Sequence, residues 1–142
     1  MFDKEFVLQY FENLEKRIKE EKIYKRELEV SFVKNKSVAI VGPRRSGKTY
    51  FLLNILRENI EDSIYLDLEH SAFREVTHKD IFQIISIYEE YFGKKVKKVI
   101  IDEVQKIADW ESLIRSLIDS GYYVMISGSS SKLLPREIAT QL

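Results

Sequence analysis

The sequence predicts an α/β fold with a three-layer core, in which short buried strands alternate with helices. Four apolar runs have the length of strands, and the segments between them contain helical patterning or helix-capping residues. A glycine-containing loop directly follows the first run, and two acidic residues follow the third. The four runs are residues 38–41, 64–68, 99–101 and 123–127.

The first thirty residues predict a long amphipathic helix. Its apolar stripe faces away from side chains rich in Lys and Glu. We assign residues 1–27 to a helical segment that packs on the core, and residues 28–142 to the core itself. A membrane-surface or partner-helix role is the alternative, and it is disfavoured because the polar face mixes both charge signs. The stripe consists of Phe6, Val7, Tyr10, Phe11, Leu14 and Ile18.

The loop at residues 42–49 fills the phosphate-binding pattern G-x-x-x-x-G-K-[ST] without a gap. Its two glycines permit the tight turn that directs backbone N–H groups at phosphate oxygens. Lys48 would reach the β and γ phosphates, and the Thr49 hydroxyl would bind Mg²⁺. The following helix would present its N-terminus to the same phosphates. The expected nucleotide contacts are Gly42, Pro43, Arg44, Arg45, Ser46, Gly47, Lys48, Thr49 and Tyr50.

Capping residues define two of the later helices. Thr77 and Asp80 predict the start of a helix that runs to Tyr91. Asp109 is a suitable N-cap for a helix that begins at the following tryptophan, and Gly121 is suited to end it.

Asp102 and Glu103 follow the third strand and match the Walker B pattern. Asp102 is placed to hold Mg²⁺ through its water shell, because magnesium prefers few carboxylates and keeps several waters. Glu103 would polarise the attacking water, which favours an ATPase over a phosphotransferase. Residues 35–38 lack the Asp of the guanine-reading Asn-Lys-x-Asp motif, so the expected nucleotide is ATP. A solvated acidic turn at the end of a strand is the alternative interpretation of the two acids.

Three stretches match the motifs of one family in the same order. Residues 42–49 read GPRRSGKT, residues 101–110 contain IDEVQ and a tryptophan, and residues 128–140 contain GSSSKLL and REIAT. On these stretches the chain resembles the archaeal-type and prokaryotic AAA+-like ATPases over most of residues 24–142. The resemblance implies an additional-strand P-loop NTPase core with a parallel sheet in the order 5-1-4-3-2. It also implies a γ-phosphate sensor after the fourth strand.

The sensor position falls on Ser129 or Ser130, and an ordinary serine-rich loop is the alternative. The resemblance also places Tyr24 and Arg26 near the adenine. Arg44 and Arg45 could contact the nucleotide or a neighbouring subunit, and the sequence does not choose between these roles.

Because such ATPases continue further, the resemblance implies that the fifth strand and a lid or C-terminal domain are missing after Leu142. The strand at 38–41 would then have an exposed edge, unless residues 28–33 cover part of it. The arginine that completes the site would come from another subunit of a homo-oligomer or from a partner. Hydrolysis by this chain alone is expected to be weak.

Composition limits the other functional classes. The chain has 23 basic and 23 acidic residues, so no bulk field attracts DNA, and any DNA binding must be local. Lysines at 94, 95, 97 and 98 could contact phosphates, but no aromatic residues alternate with them, so a solvated turn is favoured. The absence of cysteine excludes disulfides. No run is long enough to span a membrane and no targeting peptide is evident, so a cytoplasmic location is expected.

These features predict Mg²⁺-dependent binding and hydrolysis of ATP that powers or gates an attached or partner module. The alternative is a nucleotide-gated switch that binds DNA or protein with little turnover.

Overall fold

A computed structural model describes residues 2–20, 31–42, 47–129 and 138–141 of the chain, the last segment by its backbone. Two short 3₁₀ helices, Ser71–Phe73 and Val104–Lys106, follow the second and third strands. The α-helices are α1 (Lys4–Glu20), α2 (Lys48–Glu58), α3 (His78–Phe92) and α4 (Trp110–Asp119). The strands are β1 (Ser37–Val41), β2 (Ser63–Asp67), β3 (Lys98–Asp102), β4 (Tyr123–Gly128) and β5 (Ile138–Gln141).

The five strands form one sheet in the order β2-β3-β4-β1-β5, and every neighbouring pair is parallel. This result confirms the predicted order 5-1-4-3-2 and the α/β fold class. The apolar residues of β1 to β4 are almost completely buried, as expected for a parallel sheet covered on both faces. Because all strands run in one direction, their carboxyl ends meet at one edge of the sheet.

The expectation that the fifth strand is missing is wrong. β5 pairs with β1 from Val38 opposite Ile138 to Val41 opposite Gln141, so the outer edge of β1 is covered. Residues 31–33 contribute no strand to that edge, and residues 28–30 lie outside the described part of the chain. β5 reads Ile-Ala-Thr-Gln, with one large apolar side chain, so a search for apolar runs does not detect it.

Helix α1 packs its apolar face on the rest of the molecule. Val7, Tyr10, Phe11 and Ile18 are buried, and the Phe11 ring lies 4.8 Å from the ring of Tyr88 in α3, measured between centroids. Phe6, which the pattern places on the same stripe, is 42% exposed. Residues 21–30, which include Tyr24 and Arg26, lie outside the described part of the chain.

The predicted cap of α3 is confirmed, and so is the predicted start of α4, although the Asp109 side chain makes no capping hydrogen bond. The Thr77 backbone N–H donates to the Asp80 carboxylate at 3.0 Å, directly before the first residue of α3. Asp109 occupies the N-cap position of α4, and Gly121 follows this helix with a φ of 94°. The left-handed conformation explains the glycine, because a Cβ would be strained there.

Two of the clustered lysines bind acids within the fold. The Lys94 ammonium lies 2.9 Å from the Glu15 carboxylate of α1, and the Lys98 ammonium lies 3.2 Å from that of Asp62. These contacts favour a structural role for both lysines. In the described ranges, no helix is both long and apolar enough to cross a bilayer.

Phe11→Ala is expected to lower the free energy of unfolding by about 3–5 kcal/mol, because it removes a fully buried aromatic ring. Phe6→Ala on the same helix should cost less than about 1 kcal/mol, since Phe6 is already partly exposed. Urea unfolding followed by circular dichroism measures both changes. Equal losses for the two variants would contradict the observed packing of α1.

Candidate functional site

The candidate site lies at the carboxyl edge of the sheet, where β1 leads towards α2. Gly47 has a φ of 90° and directly precedes α2, which agrees with the need for glycine in this turn. The Gly42 N–H donates to the Gly128 carbonyl at 3.3 Å and thereby ties the end of β1 to the end of β4. Pro43, Arg44, Arg45, Ser46 and Ser130 lie outside the described part of the chain.

Lys48 and Glu103 form a buried ion pair. The Lys48 Nζ lies 2.8 Å from Glu103 Oε1, and the two side chains are only 5% and 6% exposed. Removing either partner would leave the other charge buried without its counterion, at a cost of roughly 3–5 kcal/mol. This ion pair thus joins the start of α2 to the residue that follows β3.

Hydrogen bonds keep the Glu103 carboxylate ionised. Ser129 Oγ donates to Glu103 Oε2 at 3.0 Å, and Gln105 Nε2 donates to the same oxygen at 3.1 Å. Burial alone would raise the pKa of Glu103, but hydrogen bonds from Lys48, Ser129 and Gln105 outweigh it and lower that pKa. Glu103 is therefore an anion at neutral pH and an acceptor for N–H and O–H donors.

Asp102 is surrounded by hydroxyl groups. Thr49 Oγ1 donates to Asp102 Oδ2 at 2.8 Å, the Tyr65 hydroxyl donates to the same oxygen at 2.5 Å, and Ser127 Oγ donates to Oδ1. Burial, together with the charge of Asp102, raises the pKa of Tyr65 well above its ordinary value, so the phenol keeps its proton. Ser127 Oγ also accepts from the Glu103 backbone N–H at 2.9 Å.

Sequence reasoning missed Tyr65, Ser127 and Gln105 as members of this site. A signal for the first two exists in the strand ends. Asp67 lies opposite Asp102 in the parallel register, and the pairing of β3 with β4 brings Ser127 beside Asp102. Each of three neighbouring strands thus brings a polar residue to the same edge. Tyr65 precedes Asp67 by two positions and therefore lies on the same face.

A cleft of about 490 Å³ opens beside these residues, a size suited to a small-molecule ligand. Lys48, Thr49 and Glu103 line it, and Arg17 of α1 and Glu69 after β2 contribute to its wall. Sequence reasoning did not identify Arg17, because its place depends on how α1 packs.

The fold and the side chains gathered at this edge define an α/β domain of the P-loop NTPase type. The sequence profile of the family described as AAA domain matches residues 34–142. The chain belongs to this AAA domain family, which confirms the resemblance inferred from the three motifs.

Known proteins resemble this chain in fold or in sequence. Two mutant forms of RuvB from Thermotoga maritima superimpose on the whole chain with TM-scores of 0.54 and 0.53, at 18% and 17% identity. The chain covers 46% of each, and at this identity the likeness shows the fold alone. An uncharacterized protein of Methanocaldococcus jannaschii is 36% identical over 145 residues, which span all of this chain and 32% of that protein. The chain thus spans about a third of the length of this curated relative.

Ser127→Ala is expected to lower the free energy of unfolding by about 1–3 kcal/mol, because it removes a buried hydroxyl that binds both Asp102 and the Glu103 N–H. Ser129→Ala should cost less than about 1 kcal/mol, since Ser129 is exposed. Thermal and urea unfolding of the two variants provide the comparison. A loss for Ser129→Ala as large as that for Ser127→Ala would argue against the hydroxyl network around Asp102.

Proposed function

We propose that this chain is a Mg²⁺-dependent ATPase domain that binds ATP at residues 42–50 and hydrolyses it beside Glu103. One observation carries the proposal. Side-chain atoms of Lys48 and Thr49 lie 2.8 Å from the two acids at the end of β3, Glu103 and Asp102 respectively. An ammonium group, a hydroxyl group and two carboxylates thus lie together beside a cleft that is large enough for a small-molecule ligand.

ATP binding would use the backbone N–H groups at the start of α2 and the Lys48 ammonium. Lys48 is the first residue of α2. A rotation of its side chain would therefore be enough to move the ammonium group from Glu103 to a phosphate oxygen. Tyr50, the third residue of α2, is 41% exposed and lines the same cleft. We include nucleotide contacts by residues 43–46 in this proposal because these residues belong to the phosphate-binding sequence pattern.

Thr49 and Asp102 would hold the magnesium ion, which supplies charge neutralisation at the phosphates. The donor set fits, because the Thr49 hydroxyl is a hard oxygen ligand of the kind that Mg²⁺ prefers, and the Asp102 carboxylate can hold the ion through its water shell. Thr49 donates its proton to Asp102, so the lone pairs of its oxygen remain for a cation.

Glu103 would act as the general base. It is ionised, and once Lys48 binds phosphate, the Glu103 oxygen that accepted from Lys48 can accept a proton from water. Ser129 Oγ donates to the Glu103 carboxylate, and its hydroxyl would have to turn away from Glu103 to donate to the water or to the γ-phosphate. Ser130 remains the second candidate for that sensor role.

Turnover would power or gate an attached or partner module. The chain corresponds to about a third of its curated relative, which leaves room for such a module in proteins of this kind. A homo-oligomer or a partner subunit would supply the completing arginine, so we expect slow turnover from residues 1–142 alone. A cytoplasmic location is part of the same proposal. The zero net charge gives no support to DNA as a partner.

The second candidate is a nucleotide-gated switch that binds DNA or protein with little turnover. The buried ion pair favours it, because ATP would have to separate Lys48 from Glu103 and thereby couple binding to a rearrangement.

Lys48→Ala is expected to weaken Mg-ATP binding roughly 10- to 100-fold, because it removes a charged donor to the phosphates. Isothermal titration calorimetry of the 142-residue chain measures this change. Lys95→Ala, an exposed lysine, serves as the matched control and should bind like the wild type. Equal affinity for all three proteins would refute the proposed phosphate site.

Glu103→Gln is expected to lower turnover roughly 10²- to 10⁴-fold while the protein still binds ATP, since the amide keeps the shape but cannot accept a proton. Phosphate release and ATP affinity are measured in parallel. If the chain works as an ATPase, this variant should also abolish the activity of the module that turnover powers or gates. A switch with little turnover would keep its partner binding, and that result would favour the second candidate.

A further inference from the structure

We propose that Tyr65 is a positioning residue that orients the Asp102 carboxylate and so sets how strongly magnesium strengthens nucleotide binding. This inference rests on the proposed Mg-ATP site, and it concerns a residue outside the set proposed to contact the nucleotide or the metal. Its action would pass through Asp102 alone.

The contact between the two residues is short and buried. The Tyr65 hydroxyl lies 2.5 Å from Asp102 Oδ2, and Tyr65 and Asp102 are only 3% and 1% exposed. This distance falls in the range of charge-assisted O–H···O⁻ hydrogen bonds, which are about twice as strong as neutral ones. No bulk water competes for the carboxylate in such a site.

An aspartate needs this kind of support because rotation of its carboxylate is only weakly restricted by its own covalent structure. Ser127 holds one oxygen of Asp102, while Tyr65 and Thr49 hold the other. Thr49 is also the expected metal ligand, so its hydroxyl would serve the cation as well as Asp102. Tyr65 and Ser127 are then the groups that keep the carboxylate facing the site.

Tyr65 itself has a fixed position. Tyr65 pairs with Ile100 in the middle of the β2–β3 ladder. The Tyr10 hydroxyl of α1 donates to the Tyr65 carbonyl at 2.9 Å and accepts from the Asp67 N–H at 3.1 Å. One side chain of α1 therefore braces the end of β2, and a change in α1 would reach Asp102 through Tyr65.

The test compares nucleotide affinity with and without magnesium. Calorimetry with a non-hydrolysable ATP analogue, in Mg²⁺ and in EDTA, gives a ratio of affinities for each protein. Tyr65→Phe is expected to lower this ratio roughly tenfold, in line with the effect of residues that orient metal ligands. Its affinity in EDTA should stay within about twofold of the wild type. Mn²⁺ binding in the presence of the analogue, followed by electron paramagnetic resonance, gives a second readout.

Tyr88→Phe is the matched control, because Tyr88 is a buried tyrosine of α3. Tyr88→Phe should leave the ratio of affinities unchanged. If the loss of any buried tyrosine hydroxyl lowered the ratio, Tyr88→Phe would lower it too. Tyr10→Phe provides a second variant with an expected loss of about threefold, and it decides the matter if Tyr65→Phe does not fold.

The outcomes separate this inference from the proposed function. A wild type that binds no analogue in either condition, or binds it equally well in both, removes the proposed Mg-ATP site. A wild type with a clear magnesium effect that Tyr65→Phe retains in full overturns only the role of Tyr65. A ratio that falls in Tyr65→Phe and holds in Tyr88→Phe supports it.

Discussion

The site depends on the burial of one carboxylate, that of Asp102. Because water does not reach it, this carboxylate needs hydrogen-bond donors from the protein. A buried charge without partners is costly, and three hydroxyl groups meet this need. They come from the start of α2, from β2 and from the end of β4. The requirement to solvate a single side chain thus fixes the relative positions of three elements, and it aligns Thr49 with the acids of β3.

The two neighbouring acids have different surroundings because the backbone turns between them. Asp102 ends β3, whereas Glu103 has a φ of 58° and a ψ of 52°, in the left-handed region that is unfavourable for residues with a Cβ. This turn lets the Glu103 N–H reach Ser127 while its side chain reaches Lys48. Such strain at a functional position is held in place by the contacts around it.

The sequence predicted much of the fold, because strongly apolar strands and capped helices carry local signals. The G-x-x-x-x-G-K-[ST] and Asp-Glu patterns also identified Lys48, Thr49, Asp102 and Glu103, which the structure brings together. The adjacency of Ser129 to Glu103 agrees with its predicted place after β4. Local patterns are sufficient here because each of these residues stands at the end of a well-defined element.

The remaining features depend on contacts between distant segments. β5 has too few apolar residues to be detected alone, and only its pairing with β1 defines it. Tyr65 reads as an ordinary strand residue, since its hydrogen bond to Asp102 appears only once β2 and β3 are aligned. Arg17 likewise reaches the cleft through the packing of α1. Register and packing, rather than composition, determine these positions.

The position of β1 between β4 and β5 has a consequence for how the chain is made. Among the five described strands β1 is synthesised first, yet its two neighbours, β4 and β5, are synthesised last. β2 and β3 pair with each other and can associate earlier, whereas β1 must wait for distant partners, which makes its pairing slow. During synthesis, β1 is therefore paired later than β2 and β3. The carboxyl edge of the sheet between β1 and β4 would therefore form later than the pairing of β2 with β3.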